Sequence, residues 1–364
     1  MRGADYLILT VNPGSTSTKI GVYVNDKAEQ VKNLSHNDEE LAPFSGRPIL
    51  DQLDFRSQTI MREVTAAGYD LKCFDAVAGR GGLMRPLASG TYRVNDEMLS
   101  DMRNGKYGEH ASNMGAFLAK ALAQPAGAMP CVVDPVSVDE WLPKVRLSGQ
   151  EGFDRQCLCH ALNTKAVCKR YAREIGRGYA DLRLVVAHLG SGITVSSHEG
   201  GRMIDNHNAG HEGTFSVERS GGIGLLKIIQ AAFSGKYTEK SLWQRVFRDG
   251  GVFSYLGTRD LREVEKRIEE GDEKAKLVFE AMVYQIAKDI GGFATGLYGK
   301  IDAILLTGGM AHSKKLIGDL RPAIEWIAPV KVYPGEDELQ ALAEGTLRVL
   351  KGEEQAKELG PGAN

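Results

Sequence analysis

The sequence predicts a two-domain α/β protein made by duplicating one plan, and three observations predict it. First, two glycine-serine turns lie almost half of the 364 residues apart. One is Asn12-Pro13-Gly14-Ser15-Thr16-Ser17-Thr18-Lys19, between apolar strands at 6–11 and 20–24. The other is His188-Leu189-Gly190-Ser191-Gly192, between strands at 184–187 and 193–196. Second, each turn belongs to the same local order of three antiparallel strands. The third strands, 27–34 and 202–206, follow Asn25-Asp26 and Glu199-Gly200-Gly201. Asn and Asp tolerate the positive φ of a two-residue hairpin turn. Third, each meander is followed by helical periodicity and by short buried strands ending in glycine or Asp-Pro. These are 74–78 before Gly79-Arg80-Gly81-Gly82, 131–133 before Asp134-Pro135, and 301–306 before Thr307-Gly308-Gly309.

Apolar spacing predicts helices over 51–67, 109–123, 259–270, 274–297, 313–327 and 337–350. Pro322 is expected to kink the fifth of these. The charged, glycine-containing tail 355–364 is expected to fray. The boundary is placed near 150, in Ser148-Gly149-Gln150-Glu151-Gly152. That gives domains 1–150 and 151–340, with the terminal helix 341–364 returning to pack on the first. Two domains suit the chain length.

Composition is that of a water-soluble globular protein: 42% hydrophobic and 25% charged residues. A net charge of −2 supplies no basic surface for nucleic acid or an anionic membrane. No run approaches the ~18 apolar residues of a membrane helix. The first apolar run is short and meets Asn12 at once, unlike a signal peptide. Five cysteines without framework spacing suggest reduced thiols and a cytoplasmic location. Cys157-Leu158-Cys159-His160 lacks the second pair that a structural zinc site needs.

Chemistry enters with the turns. A tight turn that exposes backbone N–H groups and hydroxyls cradles anions. Two such turns in a repeat suggest nucleotide phosphates in a central cleft, held from both sides. Polar loops at the C-terminal ends of strands fit that placement. The P-loop signature is absent, since no second glycine precedes Lys19. The G-x-G-x-x-G pattern also fails at 79–84, 190–195 and 222–227. What remains is the duplicated ribonuclease H-like fold (βββαβαβα, two domains, α/β). Acetate and sugar kinases, actin and the large heat-shock chaperones share it.

Several segments, in order, then resemble the acetate kinase family along nearly the whole chain. They are the 12–19 loop, Gly79-Arg80-Gly81-Gly82, Asp134-Pro135, 153–163 with His160, His188-Leu189-Gly190-Ser191-Gly192, Glu218-Arg219-Ser220-Gly221, Thr307-Gly308-Gly309 and Pro334-Gly335-Glu336-Asp337-Glu338. Pro13 and the alternating Ser/Thr look most like the family's butyrate kinase branch. The resemblance implies a short-chain carboxylate kinase that makes an acyl phosphate from a fatty acid and ATP with Mg²⁺, releasing ADP. It also implies a homodimer or higher homo-oligomer. Acetate, propionate or branched-chain acids are the nearest alternatives. An actin-like or chaperone-like ATP-driven binding protein is the alternative of another class.

The resemblance implies roles residue by residue. Arg80 and Arg219 clamp carboxylate and phosphoryl oxygens, a task suited to a planar guanidinium. Asn12, Ser15, Ser17, Lys19, His188, Gly190, Ser191 and Gly192 hold phosphates, and Gly308 and Gly309 let backbone approach the adenosine. His160 lies beside the transferring phosphoryl group. A carboxylate acceptor is already ionised near neutral pH and needs no base. Asp134 is therefore expected to position Mg²⁺ or its water, although a more direct catalytic role stays open. Glu338 or Asp337 is expected to contact the metal. Acetate kinases usually carry bulky residues where this chain has Gly81-Gly82, and an aromatic where it has Cys159. Gly82 and Cys159 are therefore expected to enlarge the acyl pocket.

Overall fold

Residues 7–35 form the antiparallel meander that their short apolar runs and turn residues predict. In the computed structural model, which describes residues 5–208, 210 and 212–361, it consists of β1 (Leu7–Pro13), β2 (Ser17–Val24) and β3 (Lys27–Ser35). Asn25 takes φ 57° at the β2–β3 turn. Three more strands follow: β4 (Ala76–Arg80), β5 (Thr91–Arg93) and β6 (Met129–Val133). Their order is β3-β2-β1-β4-β6-β5. β1, β4 and β6 run parallel, and β5 is antiparallel to β6. Successive residues of a strand face opposite sides. Leu9 and Val11 accordingly join Ile60, Val64 and Leu118 of the helices Leu53–Ala66 and Met114–Ala123. Ile8 faces the other way, onto Leu339, Ala343 and Leu347 of the helix Glu338–Leu350.

A second meander opens the second sheet: β7 (Arg183–Leu189), β8 (Ile193–Glu199) and β9 (Arg202–Asn206), then β10 (Ala303–Gly308) and β11 (Val330–Pro334). The order is β11-β10-β7-β8-β9. Strand for strand this is the first sheet again, without the β5 edge. One face packs Val185, Ile193 and Leu306 against Phe279, Met282 and Ile286 of the long helix Glu273–Gly296. The other packs Leu184, Val186 and Leu305 against Val167 and Tyr171 of the helix Ala161–Glu174.

The chain divides into one unit of Met1–Val138 with Asp337–Asn364 and a second of Asp139–Glu336. The first switch falls before the expected position near 150 for a local reason. Leu142 N donates to Ile204 O at 3.1 Å. Trp141 Nε1 donates to Asn206 Oδ1 at 2.7 Å, so both residues are tied to β9.

Residues 355–361 correct the expectation of fraying, and 362–364 lie outside the described residues. Lys357 exchanges 2.8 Å backbone bonds with Thr91 and Arg93, and Leu359 is buried in the first core. The helix expected over 109–123 starts only at Met114, after a 3₁₀ turn at Ala111–Asn113. Helices Asp96–Arg103, Leu225–Ala232, Glu239–Phe247 and Gly251–Leu256, and strand β11, were not anticipated. Pro322 lies inside the helix Lys314–Ile324. All five cysteines are free thiols. No helix among the described residues is long and apolar enough to cross a membrane.

Candidate active site

The first turn is closed by a 2.7 Å bond from Gly14 N to Ser17 O. It joins the ends of β1 and β2, where Asn12 is paired with Lys19 in the ladder. Lys19 and Ser15 are exposed. Parallel pairing of β1 with β4, in the register Val11 to Gly79, brings Asn12 and Arg80 to the same sheet edge. There the two side chains share one carboxylate. Arg80 Nη1 pairs with Glu338 Oε1, and Asn12 Nδ2 donates to Glu338 Oε2. Glu338 opens the helix Glu338–Leu350, where the helix dipole favours a negative charge. Its neighbour Asp337 precedes the helix in a left-handed conformation, φ 41°. Asn12, Arg80 and Glu338, distant in sequence, therefore form one cluster.

Asp134 sits just past β6, is 3% exposed, and takes φ 38°. That conformation is uncommon for a residue with a Cβ. It is held by two bonds into Oδ1, from Ser89 Oγ at 2.5 Å and Gly90 N at 2.8 Å. Among the described residues, no three His, Cys, Asp or Glu side chains lie close enough to hold a metal. Asp134, Asp337 and Glu338 thus do not form a metal cage.

Gly82 corrects its expectation. A Cβ there would stand 2.3 Å from Asn113 Oδ1 and 2.5 Å from Asn113 Cα. The volume freed by the missing side chain is filled by the segment leading into the helix Met114–Ala123. Gly79 and Gly81 are equally tight, against Gly115 and Pro135. Gly82→Ala is expected to destabilise the protein by ~1–3 kcal/mol, the usual cost of overpacking. A urea titration of both proteins measures this.

In the second unit, His188 ends the buried part of β7 and is 1% exposed. Its Nδ1 lies 2.8 Å from Asn163 Oδ1. The Asn163 amide nitrogen is committed to Glu336 O at 2.8 Å, so its oxygen faces the ring. An amide oxygen only accepts, so His188 Nδ1 carries a proton. Nε2 is buried without a hydrogen-bond partner among the described residues, 3.5 Å from Glu336 Oε1. Gly190 leaves room for it, since a Cβ there would sit 2.9 Å from Nε2. His160 immediately precedes the helix Ala161–Glu174 rather than lying within it. Its ring stacks on His188 at 3.9 Å, and its Nδ1 meets Thr194 Oγ1 at 2.9 Å.

Arg219 reaches the same turn. A Cβ at Gly192 would lie 2.5 Å from Arg219 Nη1, so the guanidinium rests on the glycine backbone. Its segment is fastened by Ser216, whose Oγ donates to Ser191 O and accepts from Arg219 N. Burial lowers the Arg219 pKa from the ordinary arginine value, and the nearby Glu218 carboxylate opposes the shift. Gly308 takes φ 91°, and a Cβ there would stand 2.3 Å from Leu189 O. It bonds both ways with Gly335. Gly309 faces open space. Cys159 is buried with Sγ 3.6 Å from Met203 Sδ. An apolar cavity of about 540 Å³, lined by Leu225, Ile228, Trp243 and Phe247 among others, holds none of these candidate side chains.

Three further residues belong to this description: Asn163, Glu336 and Arg56. Asn163 and Glu336 lie in segments that carry the resemblance, but neither stood out there by residue type. Arg56 did leave a signal. It shares its spacing with the buried Ile60 and Val64, a cation on the apolar face of a helix.

The architecture is a two-unit α/β fold with one mixed sheet in each unit. It superposes on acetate kinase from Porphyromonas gingivalis with a TM-score of 0.79 at 18% identity, covering 95% of this chain and all of that one. Acetate kinase from Entamoeba histolytica gives 0.75 at 14% identity, covering 93% and 98%. A propionate kinase from Francisella tularensis gives 0.71 at 16% identity, also covering 93% and 98%. At such identities the likeness shows the fold. The model of the acetokinase family matches residues 150–323.

Proposed function

We propose that the protein is a short-chain fatty acid kinase acting on butanoate, converting butanoate and ATP to butanoyl phosphate and ADP. The observation that carries the phosphoryl-transfer half is the second turn. There Arg219 rests on Gly192, and His188, stacked on His160, lies against Gly190, which groups a cation and two imidazoles about one glycine turn. A carboxylate oxygen of the acid forms a bond to the terminal phosphorus while the bond to the bridging phosphate oxygen breaks. Such a reaction demands mainly positioning and charge stabilisation. Arg219 supplies charge to the phosphoryl oxygens. Arg80, whose orientation is fixed by Glu338, takes the acid's carboxylate. Asn12, Ser15, Ser17 and Lys19 serve phosphates in one unit, His188 and 190–192 in the other. Gly308 and Gly309 border the adenosine.

Mg²⁺ ordinarily keeps several waters and uses one or two protein carboxylates beside substrate phosphates. Such an ion would arrive with the nucleotide and neutralise phosphate charge. Asp134 and Glu338 are the carboxylates proposed to serve it, with Asp337 next to Glu338. Asp134→Asn keeps an acceptor for Ser89 and Gly90 while removing the charge. Turnover is expected to fall and partly recover with excess Mg²⁺. A metal titration of kcat/KM checks this, and a deficit indifferent to metal would count against the assignment.

Acid length rests on Cys159, a small buried side chain beside His160, and on the likeness of the 12–19 loop. Each buried methylene contributes ~0.8 kcal/mol. Two more methylenes than acetate give ~1.6 kcal/mol, a preference of roughly fifteenfold. The kcat/KM values for acids of two to six carbons, read by coupled ADP detection, should peak at four. A maximum at acetate or propionate would move the assignment to that acid.

A further inference from the structure

The guanidinium of Arg56 is wholly buried beneath the first turn. It makes five hydrogen bonds, equal to its number of N–H donors. Two go to backbone carbonyls of the turn, from Nη2 to Ser15 O at 2.8 Å and from Nη1 to Ser17 O at 2.9 Å. Nη1 also reaches Thr18 Oγ1 at 2.8 Å. Nε and Nη2 both donate to Gln52 Oε1, at 3.1 and 2.7 Å, which fixes the plane of the fork. The intervening carbonyl, Thr16 O, accepts from His36 N at 2.9 Å. His36 Nε2 meets Thr18 Oγ1 at 3.0 Å. Burial brings the Arg56 pKa down to about 10, which leaves it cationic near neutral pH.

Three consecutive carbonyls, Ser15, Thr16 and Ser17, are thus occupied from within the protein. In a planar trans peptide the C=O and the following N–H point in opposite directions. A Ser15 carbonyl drawn toward Arg56 therefore turns the Thr16 N–H away from it. The amides of Ser15 and Thr16 donate to no group among the described residues, and both residues are exposed. The result is a turn with exposed N–H donors, carbonyl acceptors inward and a buried cation behind, a geometry that binds anions.

We propose that Arg56 is a positioning residue for nucleotide phosphate binding, which it builds by holding the acceptors of the 14–18 turn inward. This rests on the kinase reading above for its ligand but not on the identity of the acid.

The test measures equilibrium binding of the non-hydrolysable β,γ-imido analogue of ATP with Mg²⁺ to the full chain, independently of turnover. Arg56→Lys keeps the charge and loses the fork. Arg56→Met loses both. Loss of the paired carbonyl bonds is expected to weaken binding by about tenfold in Arg56→Lys and more in Arg56→Met. The KM for ATP should rise while that for the acid stays within about twofold, a split that general loosening would not give. Analogue binding within twofold of the unmodified protein in a folded variant would overturn the proposal. Should either substitution prevent folding, amide exchange on the unmodified protein decides. Exchange at 15–17 is expected to slow when the analogue binds, and an unchanged rate there refutes the role. If the unmodified protein binds the analogue yet makes no acyl phosphate from any acid, the carboxylate kinase reading fails and this inference stands. If it does not bind the analogue, this inference fails.

Discussion

Arg219→Ala is expected to lower kcat by ~10²–10³ while the protein stays folded. Removal of one preorganised charge contact to a developing anion typically costs ~3–4 kcal/mol of transition-state stabilisation. Arg219 fits that role geometrically. Its guanidinium rests on the backbone of Gly192, in a turn with no side-chain bulk at 190 or 192. Its backbone is fixed through Ser216, which fastens the Arg219 amide to the 190–192 turn. Truncation of the side chain therefore leaves those backbone bonds in place. Steady-state kinetics beside a thermal melt separates the two effects. A folded Arg219→Ala protein with near-normal turnover would remove Arg219 from the mechanism.

Arg80→Ala is expected to damage both activity and stability. Arg80 and Glu338 are 16% and 10% exposed at their side chains. Breaking a largely buried pair by removing one partner typically costs ~3–5 kcal/mol, because it leaves the other charge uncompensated. Glu338 retains Asn12 as a neutral donor, which places the expected loss at the lower end, about 3 kcal/mol. Turnover should fall by about two orders of magnitude or more if Arg80 also takes the acid's carboxylate. The double variant Arg80→Ala, Glu338→Ala distinguishes these contributions. Stability should largely return, since no unpaired charge remains, while activity should not. Urea denaturation and kinetics on the single and double variants measure this. Return of activity together with stability would make Arg80 a structural ion pair alone.

The sequence carried the fold because its signals were local. Short apolar runs bounded by turn residues marked the two meanders, and the glycine turns marked their repeat. Residues that gather from distant positions were harder to read. Nothing in the spacing of Asn12, Arg80 and Glu338 shows that they share one carboxylate. That follows from parallel pairing of β1 with β4 and the return of the terminal helix. Gly82 misled because an absent side chain reads as free space. In the fold, Asn113 fills that space, and the glycine permits close approach of two segments. The tail read as frayed from its charge and glycines. It is held instead by backbone bonds at Lys357 and the buried Leu359, which a composition argument does not register. The short helices between 225 and 256 have weak boundaries, and two of them have no side-chain cap at the start. Arg56 was legible as a cation on a buried stripe, but its meaning depended on the turn above it.

The proposed reaction transfers a phosphoryl group from ATP to a fatty acid carboxylate. The most direct measurement traps the product. The purified protein is incubated with ATP, Mg²⁺, butanoate and hydroxylamine, and the acyl hydroxamate is quantified against reactions lacking each component. Butanoyl hydroxamate should accumulate only with all of them present and in step with ADP. ADP release that ignores every acid from one to six carbons, with no hydroxamate formed, would contradict the account and favour an ATP-driven binding protein.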